Sequence, residues 1–465
     1  MPSSAPLKIV LISPYDLGRQ PFELAHPAAW LRQAGFEVAC VDLSQERLSD
    51  EALDGVGLVA VHLGMHTATR IALELVAKVR ALRPQAHLCA YGLYAPMNAA
   101  LLREVGFGTL LGGEVEPGLL HLARRLAEGD DGPQREPLIE LSRIEHRVPD
   151  RSTLKPLSRH AALILPGGAR KVVGHVQASR GCKHLCRHCP VVPVYGGRFR
   201  IAPVDVVMAD IDQQIQAGAE HISFGDPDFL NGPGHALRII RALRAAHPGM
   251  TWDAVIKIEH LLERAELLPE LAASGCLFVT SAVESVDEAT LLAFEKGHTG
   301  ADFARASRLM REAGIALSPT FVPFTPWTTL RGYVELLEAV CALDLVEAVA
   351  PVQLCIRLLV PEGSRLLDLE GFRSLIGGFD PALLGYPWRN PEPGVDALQV
   401  EIQSLVEAME GESRRATFEA IWARAHAALG QAAPLLAPSS AEEIPRMSEP
   451  WYCCAEPTQA QLTAL

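Results

Sequence analysis

The chain has 465 residues, 49% of them hydrophobic and 21% charged, an ordinary globular composition that excludes global disorder. Forty-two Lys and Arg against 55 Asp and Glu leave a formal charge of −13. Such a surface repels phosphate backbones, so no nucleic-acid partner is expected. At about 100–200 residues per domain the length suggests roughly two to four domains.

No apolar run reaches the roughly 18 residues of a membrane span, and residues 1–6 show neither the basic nor the long apolar region of an export signal. The expected compartment is cytoplasmic, with no membrane partner.

In chain order, residues 8–13 form a short apolar run ending at Pro14, which reads as a buried parallel strand. A helical pattern over 28–34 closes at Gly35. Strands follow at 36–41 and 58–62, a helix at 69–82, strands at 87–91 and 109–111, and a helix at 117–127. Strands alternating with helices predict a doubly wound, Rossmann-like α/β domain over 1–130.

The stretch 131–171 is rich in Pro, Arg and Ser and reads as a linker. A second alternating series then starts, with strands expected at 175–178, 221–225, 252–256, 277–282, 316–322 and 350–359 and helices between them. It predicts a partial (β/α)6 barrel over 172–390, whose site would lie at the C-terminal ends of the strands. Residues 391–465 read as a helical C-terminal region with a Cys-Cys tail.

Of ten cysteines, Cys40, Cys89, Cys276, Cys341 and Cys355 sit singly in apolar runs and read as small core residues. Three others form Ser179-Arg180-Gly181-Cys182-Lys183-His184-Leu185-Cys186-Arg187-His188-Cys189-Pro190, a Cys-x3-Cys-x2-Cys loop just after the first barrel strand. Three thiolates on one short loop suit three corners of a cubane iron–sulfur cluster. No fourth cysteine lies nearby, so one iron stays open for a substrate ligand. Zinc held by the three cysteines with His184 or His188 is the alternative.

The loop and its place after strand one resemble the radical S-adenosylmethionine (SAM) superfamily over roughly residues 172–390. The resemblance implies an enzyme in which Cys182, Cys186 and Cys189 hold a [4Fe-4S] cluster and SAM binds the open iron. It also implies a small-molecule substrate and an electron donor such as flavodoxin or ferredoxin. His188 stands where the family usually has an aromatic residue against the adenine. Gly225, Asp226 and Asp228, after strand two, fall where the family receives the SAM amino group. Ser281 and Glu284, after strand four, fall where polar groups reach the ribose and methionine ends. Thr320 lies on strand five, in a loop region expected to shape the substrate pocket, and Arg357 on strand six is an anion-binding candidate.

The first domain resembles the cobalamin-binding module found ahead of such barrels. Leu111-Gly112-Gly113-Glu114-Val115-Glu116-Pro117 is similar to a segment that often closes it. The Asp-x-His-x-x-Gly motif that supplies an axial histidine is absent, Tyr15-Asp16-Leu17-Gly18 being the nearest match, although relatives exist that bind cobalamin without it. His62 and His66 end strand three on the ligand-binding edge of such folds.

Trp451-Tyr452-Cys453-Cys454-Ala455-Glu456-Pro457 resembles the tail of a radical SAM group named for it, which implies a nucleophilic or redox-active role for Cys453 and Cys454. A vicinal thiol pair also binds soft elements such as arsenic. Three functions therefore stand at this level. The first is alkylation or other modification of a small molecule, with cobalamin-assisted methyl transfer as one form. The second is transfer of the 3-amino-3-carboxypropyl group of SAM to a soft atom on the tail thiols. The third is a non-catalytic iron–sulfur or metalloid sensor. A plain dinucleotide oxidoreductase is disfavoured, because the first strand–helix turn lacks Gly-x-Gly-x-x-Gly.

Overall fold

The structure is a computed structural model, and it describes residues 7–436 and 443–449. Cys453 and Cys454 lie outside the described residues.

The first sheet comprises β1 (Lys8–Ser13), β2 (Glu37–Asp42), β3 (Val56–His62), β4 (His87–Tyr91), β5 (Thr109–Gly113) and the short β6 (Ile139–Glu140). They are parallel, in the order β2-β1-β3-β4-β5-β6. Both faces are apolar because helices cover both. Leu24 and Leu31 of the helix Phe22–Gln33 and Leu119 and Leu122 of Glu116–Ala127 fill one side. Ala72, Leu75 and Val79 of His66–Leu82 fill the other. The strand order reverses between β1 and β3, the point at which open α/β sheets bind ligands beyond the carboxyl ends of their strands. The sixth strand comes from the stretch read above as linker.

That connecting stretch is firmly held. The Asp150 amide donates to Ala25 O at 2.9 Å. Arg151 makes a bidentate pair with Asp210 (2.8 and 2.9 Å) and also donates to Gln20 Oε1 and His175 O. One guanidinium thus joins the first domain to the second sheet. The strands β7 (Leu163–Ile164) and β8 (Arg170–Lys171) form a small antiparallel sheet with β16 (Arg446–Met447).

The second sheet contains β9 (Val173–Val176), β12 (His221–Phe224), β13 (Thr251–Val255), β14 (Cys276–Glu284) and β15 (Ala316–Phe321), all parallel, in the order β15-β14-β13-β12-β9. Between β9 and β12 the chain makes a ribbon of β10 (Ser179–Gly181) with β11 (Phe199–Ile201). Helices on the outer face, and the C-terminal pair Pro393–Ala408 and Arg414–Ala428, share one core with the strands. That core includes Ile222, Trp252, Val279, Leu398 and Ile421.

The expected sixth strand at 350–359 does not form, and this corrects the sequence reading. Pro351 has no amide hydrogen to give to a ladder, and Pro351–Leu354 is a 3₁₀ turn. The Gln353 side chain accepts the Phe321 amide at 3.1 Å, taking over a ladder bond. Only Phe324 and Arg357 pair as a parallel bridge. At the opposite edge, the Gln214 side chain accepts the His175 amide at 2.8 Å and donates to His175 O at 3.2 Å.

Candidate functional site

The Cys-x3-Cys-x2-Cys loop leaves β10 at the C-terminal end of β9. Gly181 makes the turn with φ +72°, and a Cβ there would stand 2.3 Å from Arg198 O, so only glycine suits the position. Asn231 Oδ1 accepts the Lys183 amide at 3.1 Å and the Cys182 thiol at 3.7 Å. The Arg187 amide donates to Phe294 O at 2.9 Å. All three cysteines are free, Cys186 buried and the others half-buried. Burial pushes the Cys189 thiol up to about 12 and raises Cys182 as well. Such thiols stay protonated unless a metal takes the proton's place, and a coordinated thiol is deprotonated outright. The donor set therefore suits an iron–sulfur cluster. The three thiols are not gathered within 4.8 Å of one another, as single-zinc ligands would be; among the described residues that closeness belongs to His184, Asp228 and His260.

His188, between the second and third cysteines, packs at a 30° tilt against Phe294 with ring centres 4.2 Å apart and places Nε2 3.1 Å from Glu284 Oε1. Glu284 ends β14 with φ +69°, a costly conformation for a residue with a Cβ. Lys296 Nζ lies 3.4 Å from the same oxygen. Burial alone would raise the Glu284 carboxyl, but Lys296 and His188 hold it down to about 2.

The residues expected after strand two take separate places. Gly225 lines the central cavity, and a Cβ there would meet His175 Cε1 at 2.3 Å. Asp226 and Asp228 do not line it. Asp226 accepts the Ser179 hydroxyl at 2.5 Å and the Ala178 amide at 3.0 Å, so it braces the start of the cysteine loop. Burial pushes its carboxyl up to about 6. Asp228 faces His184 and His260 instead. Ser281 is fully buried, its hydroxyl without a partner, and it too is off the cavity. Thr320 lines the cavity. Arg357 pairs with Asp396 at 2.7 Å, donates to Trp388 O at 2.6 Å and lies 3.5 Å over the Trp388 ring. Its guanidinium does not line the cavity.

The cavity, about 370 Å³, lies between the two domains, within the usual size range of small-molecule sites. His188, Cys189 and Glu284 border it from the barrel. His62, Tyr91 and Gly92, at the carboxyl ends of β3 and β4, border it from the first sheet. His62 is buried with Nδ1 unpartnered, and burial lowers its basicity. His66 is buried at the start of the following helix and is not part of the lining.

The sequence reading missed two features. Asp16 and Glu23 both line the cavity; burial, then the nearby Glu23, pushes the Asp16 carboxyl well above its usual range. Arg180, one residue before Gly181, donates to Glu116 at 2.7 and 3.0 Å and to Glu114 at 3.2 Å, with His26 Nδ1 at 3.1 Å. The apposition of Ser179-Arg180 with Glu114 and Glu116 was the available signal, but only the fold brings the two segments together.

Residues 176–337 match the family model described as the radical SAM superfamily. With the loop and the parallel sheet, this places a radical SAM domain over that part of the chain. Among curated proteins it resembles the bacteriochlorophyllide d C-12(1)-methyltransferase of Chlorobaculum tepidum, 26% identical over 125 residues, 26% of this chain and 27% of that one. It also resembles the hopanoid C-2 methylase of Rhodopseudomonas palustris, 22% identical over 134 residues, 28% of this chain and 25% of that one. These matches span about a quarter of each relative's length.

Among solved structures, the cobalamin-dependent SAM radical enzyme OxsB with aqua-cobalamin and SAM bound superposes with a TM-score of 0.67 at 13% identity, covering 87% of this chain and 67% of that one. The SAM methyltransferase TsrM from Kitasatospora setae, with cobalamin and a [4Fe-4S] cluster bound, gives 0.58 at 20% identity, covering 73% and 71%. At these identities the likeness establishes a shared fold.

Proposed function

We propose that the chain is a cobalamin-dependent radical SAM methyltransferase acting on a small molecule. The observation that carries this reading is the shared cavity: the ligand-binding edge of the first sheet and the cysteine loop of the barrel face the same chamber. The fold common to OxsB and TsrM supports it. When bound, SAM supplies the methyl group and a radical source, cobalamin carries the methyl group, and the cluster supplies the electron.

The chain's own residues bind, orient and exclude water. Cys182, Cys186 and Cys189 would hold three cluster corners and leave the fourth iron for SAM. His188 offers a ring face and Glu284 an ionised carboxylate in the cavity wall they share with Cys189, where they would meet SAM, while Gly225 and Thr320 line the rest of the wall. Phe321, Val322 and Ile356 make the adjoining wall apolar, which keeps water from a reactive centre. Tyr91 and Gly92 would underlie a flat cofactor, with His62 the nitrogen donor at that edge. Asp16 and Glu23 put two acidic side chains in the chamber wall, where they would hydrogen-bond a polar group of the substrate. A flavodoxin or ferredoxin donor would approach the outer side of the cysteine loop, where Leu185 and Leu292 are exposed.

A second reading, carboxypropyl transfer to a soft atom on Cys453 or Cys454, is favoured by one contact. Glu449 accepts a hydrogen bond from Tyr15 at 2.6 Å, beside Asp16 and Leu17 of the cavity wall. Cys453 follows Glu449 by four positions in the sequence.

Protein loaded anaerobically with cluster, hydroxocobalamin and SAM, then reduced with dithionite, distinguishes the readings by mass spectrometry of the SAM fragments. Retained cobalamin with S-adenosylhomocysteine is the expected result. Methylthioadenosine without retained cobalamin would replace the first reading by the second. Bound cluster and SAM with no fragment would favour the sensor.

A further inference from the structure

A second metal site, separate from the cysteine cluster, is built behind the cysteine loop. His184 lies between Cys182 and Cys186, Asp228 follows β12, and His260 lies in the short helix Ile258–Glu263 after β13. Their ligand atoms all lie within 4.8 Å of one another. His260 Nδ1 is 2.7 Å from Asp228 Oδ2, and His184 Nε2 is 3.5 Å from it. All three atoms are buried, and none has a hydrogen-bond partner. Two ring nitrogens and a carboxylate oxygen thus converge at ion-pair distance but out of hydrogen-bond alignment, and buried polar atoms left so are costly.

We propose that His184 Nε2, Asp228 Oδ2 and His260 Nδ1 bind one divalent metal ion of the zinc type. Nitrogen and oxygen ligands about 2.0–2.2 Å from such an ion stand roughly 3.3–3.5 Å apart in a tetrahedron. The groups beyond the ligands follow the pattern of metal sites. Asp228 Oδ1 accepts the Leu230 and Lys257 amides at 3.3 and 3.4 Å, fixing the carboxylate. His184 Nδ1 lies 3.4 Å from Glu259 Oε2 and 3.0 Å from Lys257 Nζ. Lys257 Nζ here donates to His184 Nδ1 and, at 2.7 Å, to Glu259 Oε2; with the ion on Nε2, Nδ1 would carry the proton toward Glu259 and Lys257 would keep only its pair with that carboxylate.

None of the three ligands borders the central cavity. The ion is therefore a staple: it ties the cysteine loop to the segments after β12 and β13. It stands independently of the methyl-transfer reading.

The test uses full-length, cluster-loaded protein, so that iron already occupies Cys182, Cys186 and Cys189, in a Cys453→Ser/Cys454→Ser background. Titration with Co(II) is expected to show one ion bound per chain, with d–d bands and no thiolate charge transfer. His260→Ala is expected to abolish binding while cluster iron stays near four per chain. Glu259→Gln, at a half-exposed position, is expected to weaken binding about 10- to 100-fold. Cluster loss to a chelator is expected to quicken in both variants. Should His260→Ala fail to fold, X-ray absorption of the cobalt-loaded parent must still show only nitrogen and oxygen ligands, with imidazole scattering. Absence of tight cobalt binding, binding unchanged in the variants, or sulfur in the coordination shell would overturn the proposal.

Discussion

Replacing Arg180 with Met tests whether the two domains are locked by charge. The Arg180 side chain is 13% exposed, and the Glu114 and Glu116 side chains are fully buried. Removing the guanidinium leaves two buried carboxyl groups with His26, 2.6 Å from Glu116, and the Tyr195 hydroxyl and Arg200 near Glu114 as the remaining compensating groups. Breaking a buried pair by deleting one partner costs about 3–5 kcal/mol, against roughly 0–1 for an exposed pair. Urea denaturation at neutral pH should therefore show a loss of about 3–5 kcal/mol, with cluster iron unchanged.

The pH dependence supplies the sign. Burial alone would raise Glu116, but Arg180 and then His26 hold it well below its ordinary 4.5. In the wild type this contribution is complete above the unfolded value and is lost as pH falls toward the lower folded value. In Arg180→Met the folded carboxyl shifts the other way. The gap between the two proteins should therefore be widest above pH 4.5 and narrow below it. Adding Glu116→Gln to Arg180→Met should recover part of the loss. A loss under about 1 kcal/mol, or a gap that widens in acid, would refute the reasoning.

Three further outcomes are expected. Cys186→Ala should reduce the iron bound per chain from about four to near zero and abolish SAM cleavage, both read on the anaerobically loaded protein. Gly225→Ala should lower SAM affinity about tenfold or more in a binding titration, since its Cβ would stand 2.3 Å from His175 Cε1 in the cavity wall. Asp226→Asn tests a carboxyl raised from 3.8 to about 6. The folded protein holds that proton longer than the unfolded chain, so the wild type should lose stability relative to the variant from about pH 4 to pH 6 and then level off, as followed by urea midpoints.

The cysteine loop was legible in the sequence because its chemistry is local: three thiols within eight residues need no tertiary information. The strands of the first sheet were legible because helices cover both of its faces, so buried parallel strands read as apolar runs. The segment at 350–359 looked no different, yet the deciding fact is a bond from the Gln353 side chain to the Phe321 backbone, which no local pattern encodes. Asp228 was rightly placed after strand two, but the direction of its side chain is set by His184 and His260, residues on other segments. Arg180 meets Glu116 across 64 positions and His26 across 154, contacts that exist only after the domains dock.

The glutamines at the two margins of the second sheet matter beyond topology. A barrel that stops at five strands has two rims of unsatisfied amides and carbonyls, and such rims recruit strands from other chains. Gln353 on one rim and Gln214 on the other offer a side-chain amide where a neighbouring strand would be. Each acts as a one-residue chain stop. The barrel can thus stay open toward the first domain, and keep the cavity between them, without presenting a template for aggregation.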